Sequence, residues 1–304
     1  GAHCCLPKTA WPRLMIQLHL PSLVFLSETK LSATRAQDLR FRLGFRHAFG
    51  VKSEGLSGGL VLFWNGDSVV SLKSYSRSHI DVLIRNENTG DREWRFTGFY
   101  GEPVRYGRKK SWELLNYLRR EYDNPWLCAG DFNEILEDSE QFGGAHREEW
   151  KMEGFWEAVN NCRFTDLGFT GLPYTWDNRQ QDDRNIKVRL DRGLGDDRFM
   201  DLFDNTSVTH VQTTESDHCA LVIGISKSDW ASDRVTNRPF KFENAWTRHE
   251  TYSQTVENLW VPSNGHLQQV TEALVAVKKG LHKWNIEEFG LVKRQLKTLR
   301  TRLE

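Results

Sequence analysis

Residues 126–133 read Trp-Leu-Cys-Ala-Gly-Asp-Phe-Asn, an apolar run that ends in two polar side chains. The run predicts a buried strand, and the alternation beyond it predicts that Asp131 and Asn133 face one pocket while Phe132 turns to the core. A carboxylate and a carboxamide in that arrangement suit the positioning of a water molecule. The alternative is an Asx turn that closes the strand, and for a single Asp-x-Asn motif the turn is the commoner explanation.

Amphipathic helices are predicted on both sides of this strand. Trp112, Leu115 and Leu118 recur three apart within residues 109–122, and apolar side chains recur at steps of 3, 4 and 7 within residues 152–159. Further strands are predicted at residues 24–26, 60–64, 79–84, 94–100, 175–176, 188–190, 208–212 and 221–225, and a short helix at residues 197–203. This order predicts an α+β fold of packed sheets flanked by helices, and the hairpin-like spacing within residues 60–100 predicts a largely antiparallel sheet.

Composition narrows the class of protein. Lys and Arg number 41, as do Asp and Glu, so the net charge gives no sign of a polyanionic partner and nucleic-acid binding must come from local patches. Five Cys without a CxxC pair favour a reducing compartment over a disulfide scaffold. The apolar stretch at residues 14–26 is too short to span a bilayer, so no membrane association is expected.

A change of composition at about residues 226–239 predicts a linker rich in Ser, Asp, Arg, Asn and Pro. We therefore expect a main domain at residues 1–228, followed by a linker and helical tail at residues 229–304. Apolar residues at steps of 3 and 4 predict the tail helices, first from Leu267 to Trp284 and again from Val292 to Leu303. Apolar residues at this spacing form a stripe, or seam, along one side of each helix, and such a seam needs another surface to pack against.

Two further motifs carry titratable side chains. Asp217 and His218 lie in a tight loop between two predicted strands, where they can bind metal and contact phosphate together; a solvated surface pair is the alternative. Asp191 lies in the stretch Arg-Leu-Asp-Arg at residues 189–192, and a buried carboxylate there needs a partner. His218 and the neighbouring arginines are equally good candidates for that partner.

Three further residues, Glu28, Tyr100 and Arg105, are candidates for the functional site. Glu28 ends a predicted strand and offers the oxygen ligand that Mg²⁺ prefers, although pairing with Lys30 explains it equally. Tyr100 ends another strand and can contact phosphate, although an interior Tyr is commoner. Arg105 opens a basic run, and a second run lies near Trp176; either run is a phosphate-binding patch or a solvated face. The two runs are Arg105, Arg108, Lys109 and Lys110, and Arg184, Lys187, Arg189 and Arg192.

Taken in chain order, five motifs resemble the signature series of the endonuclease/exonuclease/phosphatase superfamily. They are Ser-Glu-Thr-Lys at residues 27–30, Gly-Phe-Tyr at 98–100, Gly-Asp-Phe-Asn at 130–133, Arg-Leu-Asp-Arg at 189–192 and Ser-Asp-His at 216–218. Three others resemble more narrowly the endonuclease domain of plant LINE-type retrotransposons: Gly-Gly-Leu at 58–60, Tyr-Thr-Trp-Asp-Asn at 174–178 and Phe-Lys-Phe-Glu at 240–243. The resemblance covers roughly residues 12–304.

The resemblance implies a DNase I-like, four-layer α/β/β/α sandwich and a DNA endonuclease that uses Mg²⁺, or Mn²⁺, and leaves 3′-hydroxyl and 5′-phosphate ends. Glu28 and Asp217 are the implied metal ligands. Trp176 and Asn178 are implied at the DNA-facing rim, and Arg105 is expected to bind substrate. The implied catalytic residues are His218, Asp131, Asn133, Asp191 and Tyr100.

The N-terminus departs from the family pattern. A first strand with a Trp-Asn-x-Arg-Gly-like motif, whose Asn contributes to the metal site, is expected before Trp11, but residues 1–8 read Gly-Ala-His-Cys-Cys-Leu-Pro-Lys. We therefore expect a truncated or altered N-terminus and weaker metal binding. A catalytically weakened retroelement remnant that binds DNA is one alternative function, and a phosphatase of the same superfamily is another. The expected partners are DNA and a reverse transcriptase domain of a parent polyprotein, and the expected location is the nucleus.

Overall fold

The computed structural model describes residues 10–54, 57–66, 68–86, 92–203, 205–213, 216–226 and 250–260, and residues 270, 273, 274, 276, 277, 280, 281 and 284. The chain divides into two compact units, Gly1–Arg238 and Pro239–Glu304. The predicted domain end near residue 228 lies outside the described residues. Among the described helices, none is long and apolar enough to cross a membrane.

The helices and strands are as follows. The helices are α1 (Ala10–His19), α2 (Ala33–Leu43), α3 (Arg108–Glu121), α4 (Glu149–Asn161), α5 (Asp197–Leu202) and, in the second unit, α6 (Tyr252–Leu259). The strands are β1 (Leu23–Leu26), β2 (His47–Glu54), β3 (Ser57–Trp64), β4 (Ser68–Ser76), β5 (His79–Asn86), β6 (Trp94–Tyr100), β7 (Trp126–Asp131), β8 (Gln141–Phe142), β9 (Phe164–Asp166), β10 (Thr170–Gly171), β11 (Trp176–Asp177), β12 (Lys187–Val188), β13 (Asp191–Asp196), β14 (Asn205–Val211) and β15 (Ala220–Ser226).

A six-stranded sheet in the order β4-β5-β6-β7-β13-β9 forms the centre of the first unit. Its neighbours are antiparallel except β6 and β7, which run parallel. Three smaller sheets have the orders β1-β3-β2, β10-β14-β15 and β11-β12-β8. A parallel pair needs a long crossover connection, and α3 supplies the one between β6 and β7.

Side chains of β3 show how the layers stack. Leu60 and Leu62 belong to a core shared with β5, β6, β7 and β14, whereas Val61 and Phe63 belong to a second core shared with α2. This alternation buries both faces of β3. A third core joins the opposite face of the six-stranded sheet to α3 and α4. The first unit is therefore an α+β sandwich of packed sheets flanked by helices, as the sequence predicts.

The strands predicted within residues 60–100 do not form one sheet. The first of them belongs to β3, which pairs with β1 and β2, and only β5 and β6 form the expected antiparallel hairpin. The continuous Leu-Val-Leu-Phe run of β3 reflects burial of both faces of that strand. A half-exposed hairpin strand would alternate apolar and polar residues. The unpredicted strand β4 lies at the sheet edge, where its Ser-rich and partly exposed sequence carries little apolar signal.

The described residues of the second unit are helical in α6 and at the eight described positions between 270 and 284. Leu281 and Trp284 are buried against Tyr252, Val256 and Val277, and the Trp284 indole donates a 2.8 Å hydrogen bond to the Thr251 hydroxyl. The predicted seam residues Leu267 and 292–303 lie outside the described part of the chain.

Candidate active site

Three neighbouring strands of the six-stranded sheet meet at one end of the sheet, where β6 and β7 finish and β13 starts. We call this end the reactive edge. The parallel register of β6 and β7 places Tyr100 opposite Asp131, and the antiparallel register of β7 and β13 places Asp131 opposite Asp191. All three side chains are buried, with Asp131 6% and Asp191 9% exposed. The sheet therefore brings together two carboxylates and a phenol that lie far apart in sequence.

The loop before β15 adds an imidazole to this edge. His218 Nδ1 lies 2.8 Å from Asp191 Oδ2, and His218 Nε2 lies 4.0 Å from Asp131 Oδ2. One ligand atom from each of Asp131, Asp191 and His218 lies within 4.8 Å of the other two. We call these three residues the Asp–Asp–His cluster. Carboxylate oxygen is the donor type that hard divalent cations prefer, so the two carboxylates of the cluster fit such an ion.

Burial and the neighbouring charges in the cluster favour the protonated forms of Asp131 and His218. Burial raises the pKa of Asp131, and the charge of Asp191 raises it further, although His218 and the N–H of Asn133 oppose the shift. Burial alone would lower the pKa of His218. The charge and hydrogen bond of Asp191, helped by Asp131 and Asp217, outweigh that effect and raise the pKa of His218 to about 9. His218 is therefore a cation at neutral pH, held between two carboxylates.

Asn133 shapes the turn beside the cluster. Its backbone is left-handed (φ 55°), its N–H donates a 2.8 Å hydrogen bond to Asp131 Oδ1, and its Nδ2 donates a 2.9 Å bond to the Gly101 carbonyl. The Asx turn considered as an alternative is thus present, and it orients Asp131 within the site. Gly101 is required here because a Cβ would lie 2.3 Å from the Phe132 carbonyl oxygen.

Glu28 lies beside Tyr100 and outside the Asp–Asp–His cluster. The Tyr100 hydroxyl donates a hydrogen bond to the Glu28 carboxylate, and burial together with this bond raises the pKa of Tyr100. The charge of Glu28 also contributes to the raised pKa of Asp131. Glu28 is in the left-handed region (φ 51°), which costs about 1 kcal/mol for such a residue. Strain of this kind is common at functional sites.

Asp217, the other predicted metal ligand, contacts Trp176. The Trp176 indole donates a 3.0 Å hydrogen bond to Asp217 Oδ2, and the Asp177 N–H donates one of 3.0 Å to the Asp217 carbonyl. Among the described residues, Asp217 is not in the group whose ligand atoms converge. Trp176 therefore holds the loop that carries His218, in addition to any contact with substrate.

The remaining predicted binding residues lie outside the cluster. Asn178 Oδ1 accepts hydrogen bonds of 3.1 Å from the Gln180 N–H and 3.0 Å from the Ile186 N–H, so it shapes the hairpin between β11 and β12. The Arg105 guanidinium lies 4.8 Å above the Trp150 ring, at the tip of the loop that follows Tyr100.

Thr175 has a role that the sequence interpretation missed. It is 1% exposed, and its hydroxyl accepts 2.9 Å hydrogen bonds from the N–H groups of both Leu190 and Asp191. Its carbonyl accepts a 2.6 Å bond from the Cys219 N–H. One residue thereby ties the strand of Asp191 to the loop of His218. Its position in the Tyr-Thr-Trp motif is the only sequence signal.

A buried network of four charges lies behind Asp191. Arg189 and Arg192 are 1% and 0% exposed, and each bonds to both Glu140 and Asp166 at 2.7–3.1 Å. We call these residues the arginine–carboxylate network. The network bears on two alternatives that the sequence leaves open. Asp191 pairs with His218 and not with these arginines. Because Arg189 and Arg192 are buried, these two members of the second basic run cannot bind phosphate.

Solved structures of similar fold include several endonucleases. The endonuclease domain of TRAS1, a telomere-specific non-LTR retrotransposon, matches with a TM-score of 0.54 and 16% identity over 73% of this chain and 93% of its own. An AP endonuclease from Archaeoglobus fulgidus matches with 0.54 and 16% over 70% and 92%. The AP endonuclease LMAP from Leishmania major matches with 0.52 and 14% over 70% and 81%. At these identities the likeness shows the fold.

A comparison with curated proteins finds no match. The sequence model of the Endonuclease/Exonuclease/phosphatase family matches residues 13–197, which is more than half of the chain and includes Glu28, Tyr100, Asp131 and Asp191. Members of this family are hydrolases that act on phosphodiester bonds and typically depend on a divalent metal. The chain belongs to the Endonuclease/Exonuclease/phosphatase family.

Proposed function

We propose that this protein is a Mg²⁺-dependent phosphodiesterase that nicks DNA and leaves 3′-hydroxyl and 5′-phosphate ends. The observation that carries the proposal is the Asp–Asp–His cluster at the edge of the central sheet, beside Tyr100 and Asn133. Two carboxylates, a cationic imidazole and a buried phenol supply a base, a positive charge and a hydroxyl donor within one site.

Each residue has a definable task in this proposal. Asp131, with its raised pKa, takes a proton from the attacking water as the water adds to phosphorus. His218, kept protonated by Asp191, places a positive charge where negative charge develops on the phosphate as the bond to the 3′ oxygen breaks, and the departing oxygen takes a proton from solvent to give the 3′-hydroxyl. Tyr100 and Asn133 hold the phosphate and the water in line.

A divalent cation would be held by carboxylate oxygens of Asp131 and Asp191, next to Glu28, while the protonated His218 faces the phosphate instead of the metal. When bound, it neutralises phosphate charge and lowers the pKa of a bound water. Asp217 is proposed to support this site through His218 and Trp176, by orientation and charge.

The test is conversion of supercoiled plasmid to open circle in Mg²⁺ by the wild type, Asp131→Asn and His218→Ala. Loss of a general base or of a positioned cation lowers such rates by about a hundredfold or more. Asp38→Asn, a change at an exposed acid on α2, is the matched control and should nick like the wild type. Equal nicking by all four proteins would point to a contaminant and reject the proposal.

Other outcomes identify the alternatives. Salt-sensitive DNA binding without Mg²⁺-dependent cleavage would indicate a DNA-binding protein without nuclease activity. Turnover confined to small phosphate monoesters would indicate a phosphatase.

The proposed context is the endonuclease domain of a plant LINE-type retrotransposon. In that context the substrate is nuclear DNA, and a reverse transcriptase domain of the same polyprotein is the partner. The motifs at residues 174–178 and 240–243 support this context, and so does the fold shared with the TRAS1 endonuclease domain. Nuclear accumulation of a tagged chain would be the first check.

A further inference from the structure

The loop of residues 101–107 leaves the active site directly after Tyr100, and its base is fixed by the site itself. The Gly101 N–H donates a 2.7 Å hydrogen bond to the Asp131 carbonyl, and the Gly101 carbonyl accepts the 2.9 Å bond from Asn133 Nδ2. Within the loop, the Val104 N–H donates a 3.2 Å bond to Glu102. The tip of the loop is thereby held at a set position relative to the Asp–Asp–His cluster.

The tip presents cationic and aromatic side chains to solvent. Arg105 stacks at 4.8 Å on Trp150, the second residue of α4, and Trp150 is 63% exposed. The neighbouring Tyr106 is 96% exposed. Lys151 pairs with Glu148 at 2.6 Å, and Glu148 also interacts with the charge of Arg105, so the two cations together leave one positive charge in excess over this acid.

A second cationic side chain, Arg147, is held beside the turn that contains Asn133. Glu134 directly follows Asn133 and is 1% exposed, and it forms salt bridges with Arg108 and, at 3.5 Å, with Arg147 Nε. Two guanidinium groups on one carboxylate leave one positive charge in excess. Arg147 keeps 22% of its side chain exposed, so this charge reaches the surface next to the site.

We propose that Arg105, Tyr106, Arg147 and Trp150 form a docking platform for the nucleic-acid strand that flanks the cleaved phosphate. Arg105, preorganised on Trp150, and Arg147 bind backbone phosphates, and a base stacks on the open ring of Tyr106. This inference rests on the proposed function and deepens it, because it assigns an extended polynucleotide as the substrate. A small phosphate ester has no second phosphate and no neighbouring base for these side chains.

The chain offers a matched control for the platform. Arg40 lies 4.4 Å above Phe41, which is 72% exposed, so α2 carries a similar cation–aromatic pair. That helix packs on the small β1-β3-β2 sheet, whereas α3 and α4 pack on the opposite outer face of the sandwich. The two pairs therefore belong to different outer layers.

The experiment measures fluorescence anisotropy of labelled duplex and single-stranded oligonucleotides with the full chain in EDTA, over a range of salt concentrations. Arg105→Ala should weaken binding and reduce the slope of log affinity against log salt by roughly one. Tyr106→Ala should weaken binding roughly tenfold with little change of slope, and Tyr106→Phe should restore it. Arg40→Ala should bind like the wild type.

The outcomes separate this inference from the proposed function. Unchanged affinity and slope in Arg105→Ala and Tyr106→Ala, equal weakening by Arg40→Ala, or no measurable binding by the wild type each overturn the platform. Nicking that depends on Asp131 would still stand on its own in those cases. Weakened binding by the platform variants in a chain that does not cleave DNA would support the platform and reject the endonuclease.

Discussion

His218 Nδ1 lies 2.8 Å from Asp191 Oδ2, which directs the other ring nitrogen, Nε2, toward Asp131. A carboxylate behind an imidazole fixes the orientation of the ring and stabilises its cationic form. The 4.0 Å separation on the other side leaves Nε2 close to Asp131 without a direct hydrogen bond. Asp191 thus sets both the charge and the orientation of the His218 ring, whose Nε2 lies toward Asp131.

Asp191→Asn should therefore remove the charge that keeps His218 protonated while leaving the side-chain shape nearly unchanged. We expect nicking to fall by about a hundredfold or more, since the ring is no longer held as a cation aimed at the phosphate. The pKa of His218, followed by NMR titration, should drop toward its ordinary value of about 6.5. A His218 pKa that stays near 9 in the variant would contradict this role for Asp191.

The dependence of nicking on pH should have two limbs. Activity should fall on the alkaline side as His218 loses its proton, with a midpoint near 9. It should fall on the acid side as Asp131 gains one, at a pH well above the ordinary range of an Asp. Increasing Mg²⁺ should move the acid limb to lower pH, because a cation favours the ionised carboxylate. An acid limb that does not respond to Mg²⁺ would argue against Asp131 as a ligand.

The stability of the metal-free chain should decrease between about pH 6.5 and 9. In this window the folded chain holds a proton on His218 that the unfolded chain has released, so the free energy of unfolding falls as pH rises. The upper limit is about 3 kcal/mol, and solvent screening at a side chain that is 28% exposed reduces it. Urea unfolding at several pH values measures the decrease, and His218→Gln should flatten it.

Thr175→Val keeps the shape of the side chain and removes the hydroxyl that accepts from Leu190 and Asp191. Each buried N–H left without a partner costs about 1–3 kcal/mol, so the midpoint of urea unfolding should fall. Nicking should fall more than the loss of folded protein explains, since Asp191 is no longer held. Thr175→Ser retains the hydroxyl and should preserve both properties; equal damage by Ser and Val would refute the hydrogen-bond explanation.

Arg192→Met should be strongly destabilising. The change leaves Glu140 and Asp166 buried with less compensation, and breaking a buried ion pair costs about 3–5 kcal/mol. Arg198→Met breaks a pair whose side chains are 39% and 76% exposed, and it should change the free energy of unfolding far less than Arg192→Met does. Thermal unfolding of both variants gives the comparison, and similar losses would show that the arginine–carboxylate network contributes little.

Local sequence pattern predicts those parts of the fold whose environment is uniform along an element. The helices α3 and α4 each bury one stripe, and β7 is apolar until it reaches the site, so all three are predicted from periodicity. The strand β4 could not be predicted, because an edge strand with polar, partly exposed residues has no such pattern. The sheet to which β3 belongs depends on long-range pairing, which periodicity does not encode.

The same distinction applies to the site. Chain order and resemblance point to Asp131, Asp191 and His218, whose ligand atoms converge in the structure. The contacts of Asp217 with Trp176, and of Thr175 with two N–H groups, depend on a turn geometry that the sequence does not specify. The partners of Arg189 and Arg192 are likewise set by a fold that brings Glu140 and Asp166 behind β13.

The parallel pairing of β6 with β7 has an evolutionary consequence. Since α3 connects the two strands from behind, the loop after Tyr100 and the segment after Asp131 both emerge at the reactive edge yet are inherited as separate stretches of sequence. Insertions or exchanges at the exposed or partly exposed residues 103–106 or 144–148 can therefore alter which target is held without displacing the side chains of the Asp–Asp–His cluster. A lineage with this architecture can change its preferred sites by loop replacement while retaining one chemistry.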